Sequence, residues 1–196
     1  MELNDIELVA MAKAGDERRA FATLVRRHQG KLRAFLLRLC GDNALADDIA
    51  QATFMKAHIA LAGFTGGGSF RSWLFAIAYR ELLQDVRKNK AATRLEETLK
   101  AEPPPQNSQD MEAGMSLDLR RALSSLDEME RASILLCDAA GFSHSEAAAA
   151  LDAPLGSVKT YLARARENMR AFLSAEHAPP NAKTPVRTTK GTCYAI

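Results

Sequence analysis

The sequence of 196 residues predicts an all-α fold, made of two small helical domains joined by a flexible linker. Apolar residues recur at helical spacing along most of the chain, and no segment alternates apolar and polar residues as a strand does. Between the two helical parts, three consecutive prolines stand among Gln, Asn and Ser, which is typical of a linker. We therefore expect a first domain over 1–95, a linker over 96–115 and a second domain over 116–175. A disordered basic tail is expected over 176–196.

The first domain begins with two helices whose ends are marked by capping residues and glycines. Asn4 and Glu7 have the spacing of a capping box, and the helix that they begin is expected to stop at Gly15. Asp16 begins a second, longer helix, which ends at Gly41. Apolar residues at helical spacing predict that this second helix buries one face.

Two further helices complete the first domain, on either side of a glycine-rich loop. The third helix is expected over 43–62, and the fourth runs from Phe70 to about Asn89. The loop 63–69 contains three consecutive glycines, which let a backbone approach a ligand closely and adopt positive φ. It lacks the Gly-Lys-Ser/Thr of a phosphate-binding loop. From these residues alone, a flexible connector is the better explanation.

The second domain opens with two predicted helices, over 116–126 and 128–140. A helix-turn-helix follows them. Ser143 and Glu146 form a capping box for its first helix, which runs to about Leu151. Pro154 and a glycine two residues later then interrupt the helical pattern, which is typical of a turn. The second helix is expected to begin near Ser157.

The last helix separates its apolar side chains from its cationic ones. The apolar residues predict a buried stripe of Val158, Leu162, Ala165, Met169 and Phe172. Four cations and one anion lie between 156 and 170, namely Lys159, Arg164, Arg166, Arg170 and Glu167. A helix whose cations lie away from its apolar stripe is typical of one that enters a DNA major groove. A solvated helical hairpin shows the same pattern, so both interpretations stay open from this segment alone.

Composition narrows the functional classes without selecting one. The net charge is only +2, from 26 Lys and Arg against 24 Asp and Glu. A chain with so small a net charge can bind DNA only if its cations are concentrated in some segments and its anions in others. Cations are concentrated over 71–94 and anions over 96–112, which meets this condition. The three cysteines lack metal-ligand spacing, and we expect buried thiols at Cys40 and Cys137 and a free tail thiol at Cys193.

No targeting or membrane segment is evident. The N-terminus is acidic, unlike a signal peptide, and no apolar run approaches the roughly 20 residues that cross a bilayer. We therefore expect a cytoplasmic protein without membrane insertion. Nothing in the sequence points to a metal, a cofactor, a small-molecule substrate or an enzymatic activity.

Two blocks of sequence carry specific motifs in a fixed order. The first block has an acidic helix with Thr-Phe, followed by a Phe-Arg-Ser-Trp-Leu helix with basic residues: Asp47, Asp48, Gln51, Thr53, Phe54, Phe70, Arg71, Trp73, Leu74, Arg80, Arg87 and Lys88. The second block comprises Leu123, Leu126, Arg131, Gly141, Glu146, Pro154, Gly156, Val158, Lys159, Arg164 and Arg166. Together they resemble the extracytoplasmic-function (ECF) sigma factors of bacterial RNA polymerase, over residues 5–95 and 117–174.

The resemblance implies a non-enzymatic factor that binds core RNA polymerase and directs promoter recognition and opening. The third helix would dock on the clamp helices of the polymerase β′ subunit through Asp47, Asp48, Gln51 and Met55. The promoter −10 element would be bound by Phe64, Ser69, Arg80, Gln84, Arg87 and Lys88, with a flipped base held by the loop 63–69. The −35 element would be read by Ser157, Lys159, Thr160, Tyr161 and Arg164, while Arg166 and Arg170 contact phosphate.

Members of this family are usually silenced by an anti-sigma factor, so the resemblance also implies such a partner and a stress or envelope response. Two other classes stay open. A free-standing helix-turn-helix regulator needs no polymerase, but it leaves the acidic third helix and the glycine-rich loop unexplained. A sigma-mimicking decoy that sequesters an anti-sigma factor carries a receiver domain, for which the roughly 20 residues after Ala175 are too few.

Overall fold

The computed structural model describes residues 3–66, 68–97 and 117–176. Within these ranges the chain forms helices and turns and no strand, which confirms the predicted all-α fold. The α-helices are α1 (Asp5–Lys13), α2 (Glu17–Cys40), α3 (Asn43–Ala60), α4 (Phe70–Glu97), α5 (Leu117–Ser124), α6 (Glu128–Ile134), α7 (His144–Leu151) and α8 (Leu155–Glu176). A 3₁₀ turn (Leu61–Gly63) follows α3, and a π-helical turn (Leu135–Ala139) continues α6.

Local capping chemistry sets three helix ends where the sequence predicted them, namely the starts of α1 and α7 and the end of α2. The Asn4 side chain accepts from the Glu7 backbone N–H at 2.9 Å, and the Glu7 carboxylate accepts from the Asn4 N–H at 2.7 Å. Gly41 ends α2 in the left-handed conformation with φ of 74°, which a residue with a Cβ adopts only at a cost. A second capping box, between Ser143 and Glu146, begins α7.

Replacing Asn4 by Ala is expected to destabilise the chain by about 0.5–2 kcal/mol, because the first turn of α1 loses its side-chain acceptor. Chemical denaturation followed by circular dichroism measures the free energy of unfolding. The control is Ser124→Ala on α5, where the hydroxyl donates to a carbonyl of its own helix. An Asn4→Ala variant as stable as this control would show that the cap contributes nothing.

Several helix boundaries differ from the predictions, including that of α5, which ends at Ser124 and not at 126. Helix α4 continues to Glu97, about two turns past Asn89, because the residues over 90–97 are mostly good helix formers and no proline occurs before position 103. Helix α3 ends at Ala60, since the 3₁₀ turn takes the next residues. Helix α8 begins at Leu155, since the Val158 N–H already bonds to the carbonyl of Pro154. Most of the predicted linker and tail lies outside the described residues.

The first domain packs α2 against α1, α3 and α4. Its interior contains the fully buried side chains of Leu24, Leu36 and Leu74, together with Phe35 and Phe75, whose ring centroids are 5.2 Å apart. This packing leaves one side of α3 exposed, and that side carries the acidic residues.

The second domain packs α5, α6 and α7 around the first half of α8. Val158, Leu162 and Ala165 are buried, while Met169 and Phe172 are half-buried, as expected for the predicted stripe. The cationic residues of α8 therefore lie on its outer side.

The two half-buried cysteines correct the expectation of buried thiols. Cys40 and Cys137 are free and only half-buried, because each lies at the end of its helix or turn rather than in the interior. Partial burial raises the pKa of both thiols, which disfavours the reactive thiolate. The third cysteine, Cys193, lies outside the described residues.

Candidate polymerase and promoter interfaces

An open apolar groove runs between α2 and α3. Its volume is about 810 Å³, and its apolar lining comes from Phe21, Val25, Ala50, Phe54, Met55 and Ile59. Met55 is 60% exposed and Ile59 is 79% exposed, which is unusual for side chains of this size. A groove of this kind fits an amphipathic helix of a partner protein.

The predicted polymerase-binding residues lie together at this groove. Asp47, Gln51 and Met55 line it, and Asp48 is exposed beside Asp47 on α3. Asp47 is not a lone charge, because the Arg33 guanidinium of α2 donates to its two oxygens at 2.5 and 3.2 Å. Arg33 is not among the residues predicted from the sequence, since nothing local signals a contact between residues 14 positions apart.

The predicted −10 residues fall into two groups along α4. Arg80, Gln84, Arg87 and Lys88 are exposed and share one side of the helix. Ser69 lies just before the first turn of α4, about 16 Å along the axis from Arg80, and Phe64 precedes it in the loop. The structure therefore does not gather all six residues into one compact site.

The glycine-rich loop is held at both ends. Lys13 at the end of α1 donates to the carbonyl of Phe64 at 2.5 Å. The Phe64 ring packs against Trp73 and Phe70, with centroids 5.0 and 6.1 Å apart. Gly66 has a φ of 76°, a conformation that a glycine adopts without the strain of a side chain. Lys13, like Arg33, is not among the residues predicted from the sequence.

Ser69 is engaged within the protein. Its hydroxyl oxygen accepts from the Ser72 backbone N–H at 3.1 Å, which caps the start of α4. The same hydroxyl lies 3.0 Å from a carboxylate oxygen of Glu146, in the second domain. A base that accepted a hydrogen bond from this hydroxyl would have to displace the Glu146 carboxylate.

The predicted −35 residues are spread around the part of α8 that its buried stripe leaves uncovered. Lys159, Thr160 and Arg164 are exposed, whereas Ser157 and Tyr161 are half-buried. A helix with these side chains facing outward has the geometry of a recognition helix.

The two arginines predicted to contact phosphate have partners in the structure. Arg166 forms a bidentate salt bridge with Asp138, with N–O distances of 3.0 and 2.7 Å. Arg170 donates to the backbone carbonyl of Arg166 at 3.1 Å. The pairing raises the pKa of Arg166, which keeps it charged. Both side chains are exposed, so a phosphate could still reach them.

Glu146 combines a local and a long-range role. It accepts from the backbone N–H and the hydroxyl of Ser143, both at 2.9 Å, and it also faces Ser69 and Arg71 of the first domain. The bonds from Ser143 are the main reason why the pKa of Glu146 lies below its ordinary value. A lowered folded-state pKa means that the carboxylate stabilises the fold at neutral pH, and that this contribution disappears on acidification.

We therefore expect the free energy of unfolding to fall as the pH drops below about 4.3, the ordinary pKa of a glutamate, through the lowered pKa. The Glu146→Gln variant should show a shallower fall over the same range, because its amide does not titrate. Denaturant titrations at a series of pH values measure this difference. Identical pH profiles for the two proteins would contradict a stabilising role of the Glu146 charge.

Within the described ranges, no cluster of His, Cys, Asp and Glu is arranged to hold a metal ion. No helix there is both long and apolar enough to cross a bilayer.

Comparison with known proteins places both domains in one family. Residues 24–92 match the Sigma-70 region 2 family, and residues 116–169 match Sigma-70 region 4. The ECF RNA polymerase sigma factor EcfG of Rhodopseudomonas palustris is 32% identical, over 75% of this chain and 81% of that protein. SigE of Mycolicibacterium smegmatis, another ECF sigma factor, is 30% identical over 82% of this chain, which spans 64% of its length.

A solved structure agrees with these matches. The sigma factor RpoE of Bartonella quintana, in complex with the anti-sigma factor NepR, superposes with a TM-score of 0.66 and 28% identity. The superposition covers 80% of this chain and 98% of RpoE. The chain therefore belongs to the family of ECF RNA polymerase sigma factors.

Proposed function

We propose that this sigma factor docks on core RNA polymerase through the α2–α3 groove, binds the −10 element with α4 and its preceding loop, and reads the −35 element with α8. Family membership gives the chain its role, which is to bind RNA polymerase and direct it to promoters. The observation that carries the assignment of surfaces is the groove, an exposed apolar channel in which Met55 and Ile59 are largely exposed and which has a carboxylate rim at Asp47.

The groove has the chemistry of a docking site for helices. Met55 and Ile59 offer apolar area that a partner helix would remove from water, while Asp48 adds an exposed carboxylate on the same helix. The fitting partner is a helix with an apolar stripe flanked by Lys or Arg, and in core polymerase we assign it to the clamp helices of β′. The charges would speed encounter and fix register, and the apolar contacts would supply most of the affinity.

The DNA contacts divide between the domains. On α4, Arg80, Arg87 and Lys88 are positioned to follow a phosphate backbone, and Gln84 lies between them with both donor and acceptor atoms. On α8, Lys159 and Arg164 extend from the outer surface and can reach base edges in a major groove.

An anti-sigma factor is part of the same proposal. RpoE, which is similar over both domains, was solved with an anti-sigma factor bound. We assign a partner of that class to this chain, and the exposed groove is a surface that such a partner could share with polymerase. A free-standing regulator is not favoured, because the first domain matches region 2 of sigma factors.

The test is co-elution on size exclusion of the purified chain with sigma-free bacterial core polymerase. We expect a complex with the wild-type chain and its loss in the Asp47→Arg/Asp48→Arg double variant. The matched control is Glu167→Arg, which reverses an exposed carboxylate on α8, away from the groove.

Circular dichroism of the double variant is required, because reversing Asp47 places it against Arg33. If the folded double variant still co-elutes, polymerase does not dock on the carboxylates of Asp47 and Asp48. Failure of the wild-type chain to bind active core polymerase would overturn the proposed function.

A further inference from the structure

The two domains form an extensive contact with one another along α4. Phe75 of α4 is fully buried, and its ring lies 4.9 Å from that of Phe142, which precedes α7. One turn along α4, the Tyr79 hydroxyl donates to Glu128 of α6 at 3.1 Å. Separating the domains would expose both rings and the tyrosine to water, which is unfavourable unless another surface covers them.

Arg71 is the polar centre of this contact. Its guanidinium donates to the carbonyls of Ala140 and Gly141 at 3.3 and 3.1 Å and lies 3.4 Å from the carboxylate of Glu146. Its central carbon lies 4.1 Å from the centroid of the Phe142 ring. The side chain is only 22% exposed, so water screens these interactions less than it screens a surface pair.

Glu146 links this contact to the predicted −10 pocket. The same carboxylate that faces Arg71 also accepts from Ser69, which begins α4 and ends the glycine-rich loop. The second domain therefore covers the side of the loop where Ser69 lies. Its own capping box orients the carboxylate, because Ser143 holds Glu146 in place.

The other proposed surfaces are not covered. Met55 and Asp48 at the groove are exposed, and so are Lys159 and Arg164 on α8. In this arrangement the groove and the outer side of α8 are open, whereas the hydroxyl of Ser69 is already bonded to Glu146 of the second domain.

We infer that the free chain holds itself in a closed state, in which Arg71, Phe142 and Glu146 latch the second domain over the start of α4 and withhold Ser69 from DNA. The closure does not depend on the proposed surfaces, although its consequence for promoter opening rests on the proposed −10 role of Ser69. In this state the second domain inhibits the first within one chain, and docking on polymerase must release the latch before the −10 strand can enter.

Intramolecular fluorescence transfer in the full chain, without polymerase or anti-sigma factor, tests the closure. Dyes are attached to cysteines replacing Ala44 on α3 and Glu167 on α8, both exposed, in a chain whose own cysteines are changed to serine. The free protein is expected to show one high-transfer population. A free wild-type chain with mostly low transfer would overturn the inference, even if it bound polymerase normally.

Two variants test the latch itself. Arg71→Glu places like charges face to face and is expected to raise the low-transfer population by about tenfold or more. Glu146→Gln keeps an oxygen for the cap but removes the charge, and a smaller rise in the same direction is expected. The matched control is Arg26→Glu, at an exposed arginine of α2 that donates to Thr23 of its own helix.

Circular dichroism separates opening from unfolding. Helix content equal to wild type, together with lower transfer in Arg71→Glu, supports the latch. If Arg71→Glu loses helix content, the comparison of Glu146→Gln with Arg26→Glu decides instead. Transfer that changes no more in folded latch variants than in the control would overturn the latch, whatever the outcome of polymerase binding.

Discussion

The Met55→Glu variant is expected to bind core RNA polymerase at least 30-fold more weakly than the wild-type chain, a loss of about 2 kcal/mol or more. Met55 lies in the α2–α3 groove and is 60% exposed in the free chain, so the fold loses little when it is replaced. In the complex the new carboxylate would be removed from water among apolar side chains without a partner, which is costly. The defect should therefore appear in binding and not in the free energy of unfolding.

Titration of labelled core polymerase with each variant measures this loss. The control is Ile6→Glu, which places a carboxylate at an apolar residue on α1 that is also largely exposed and lies outside the groove. We expect this control to bind like wild type. Equal affinities of Met55→Glu and Ile6→Glu would show that polymerase does not contact the groove.

The second large effect is expected at the recognition helix. Lys159→Ala should weaken binding to the −35 duplex by roughly 1–3 kcal/mol and relax specificity at one base pair, if Lys159 reads a base edge. Lys159 is exposed on the outer side of α8, which is held in place by Val158 and Leu162 on its buried side. Truncating the side chain therefore leaves the helix-turn-helix intact.

Fluorescence anisotropy with specific and scrambled duplexes, at one fixed salt concentration, distinguishes the modes of contact. Arg170→Ala is the comparison, because a phosphate contact weakens binding to both duplexes alike. If Lys159→Ala also weakens both duplexes equally, Lys159 is a phosphate contact and the base-reading assignment is wrong.

The parts of the fold that local chemistry determines could be predicted from the sequence. Both capping boxes, at Asn4 and at Ser143, join residues three positions apart, so their spacing is visible in the chain itself. The glycine that ends α2 and the apolar stripe of α8 are local signals of the same kind. Helix α4 extends past its predicted end because no helix breaker follows Asn89 before position 103.

The contacts that shape the candidate sites join residues far apart in the sequence, and no local sequence pattern predicts them. Lys13 meets the carbonyl of Phe64 across 51 positions, and Arg71 meets Glu146 across 75. Such pairs depend on how helices pack, which is a property of the whole fold. For this reason Arg71 was recognised as part of a family motif, whereas its place between the domains was not predicted.

Transcription in a purified system tests the central claim most directly. Core polymerase is supplied with a library of templates that carry randomised segments, with and without the chain, and the transcribed templates are sequenced. We expect transcripts only when the chain is present, from templates that share two separated sequence elements, and we expect their loss in Met55→Glu. Tight DNA binding by the chain without any transcript from active core polymerase would contradict it.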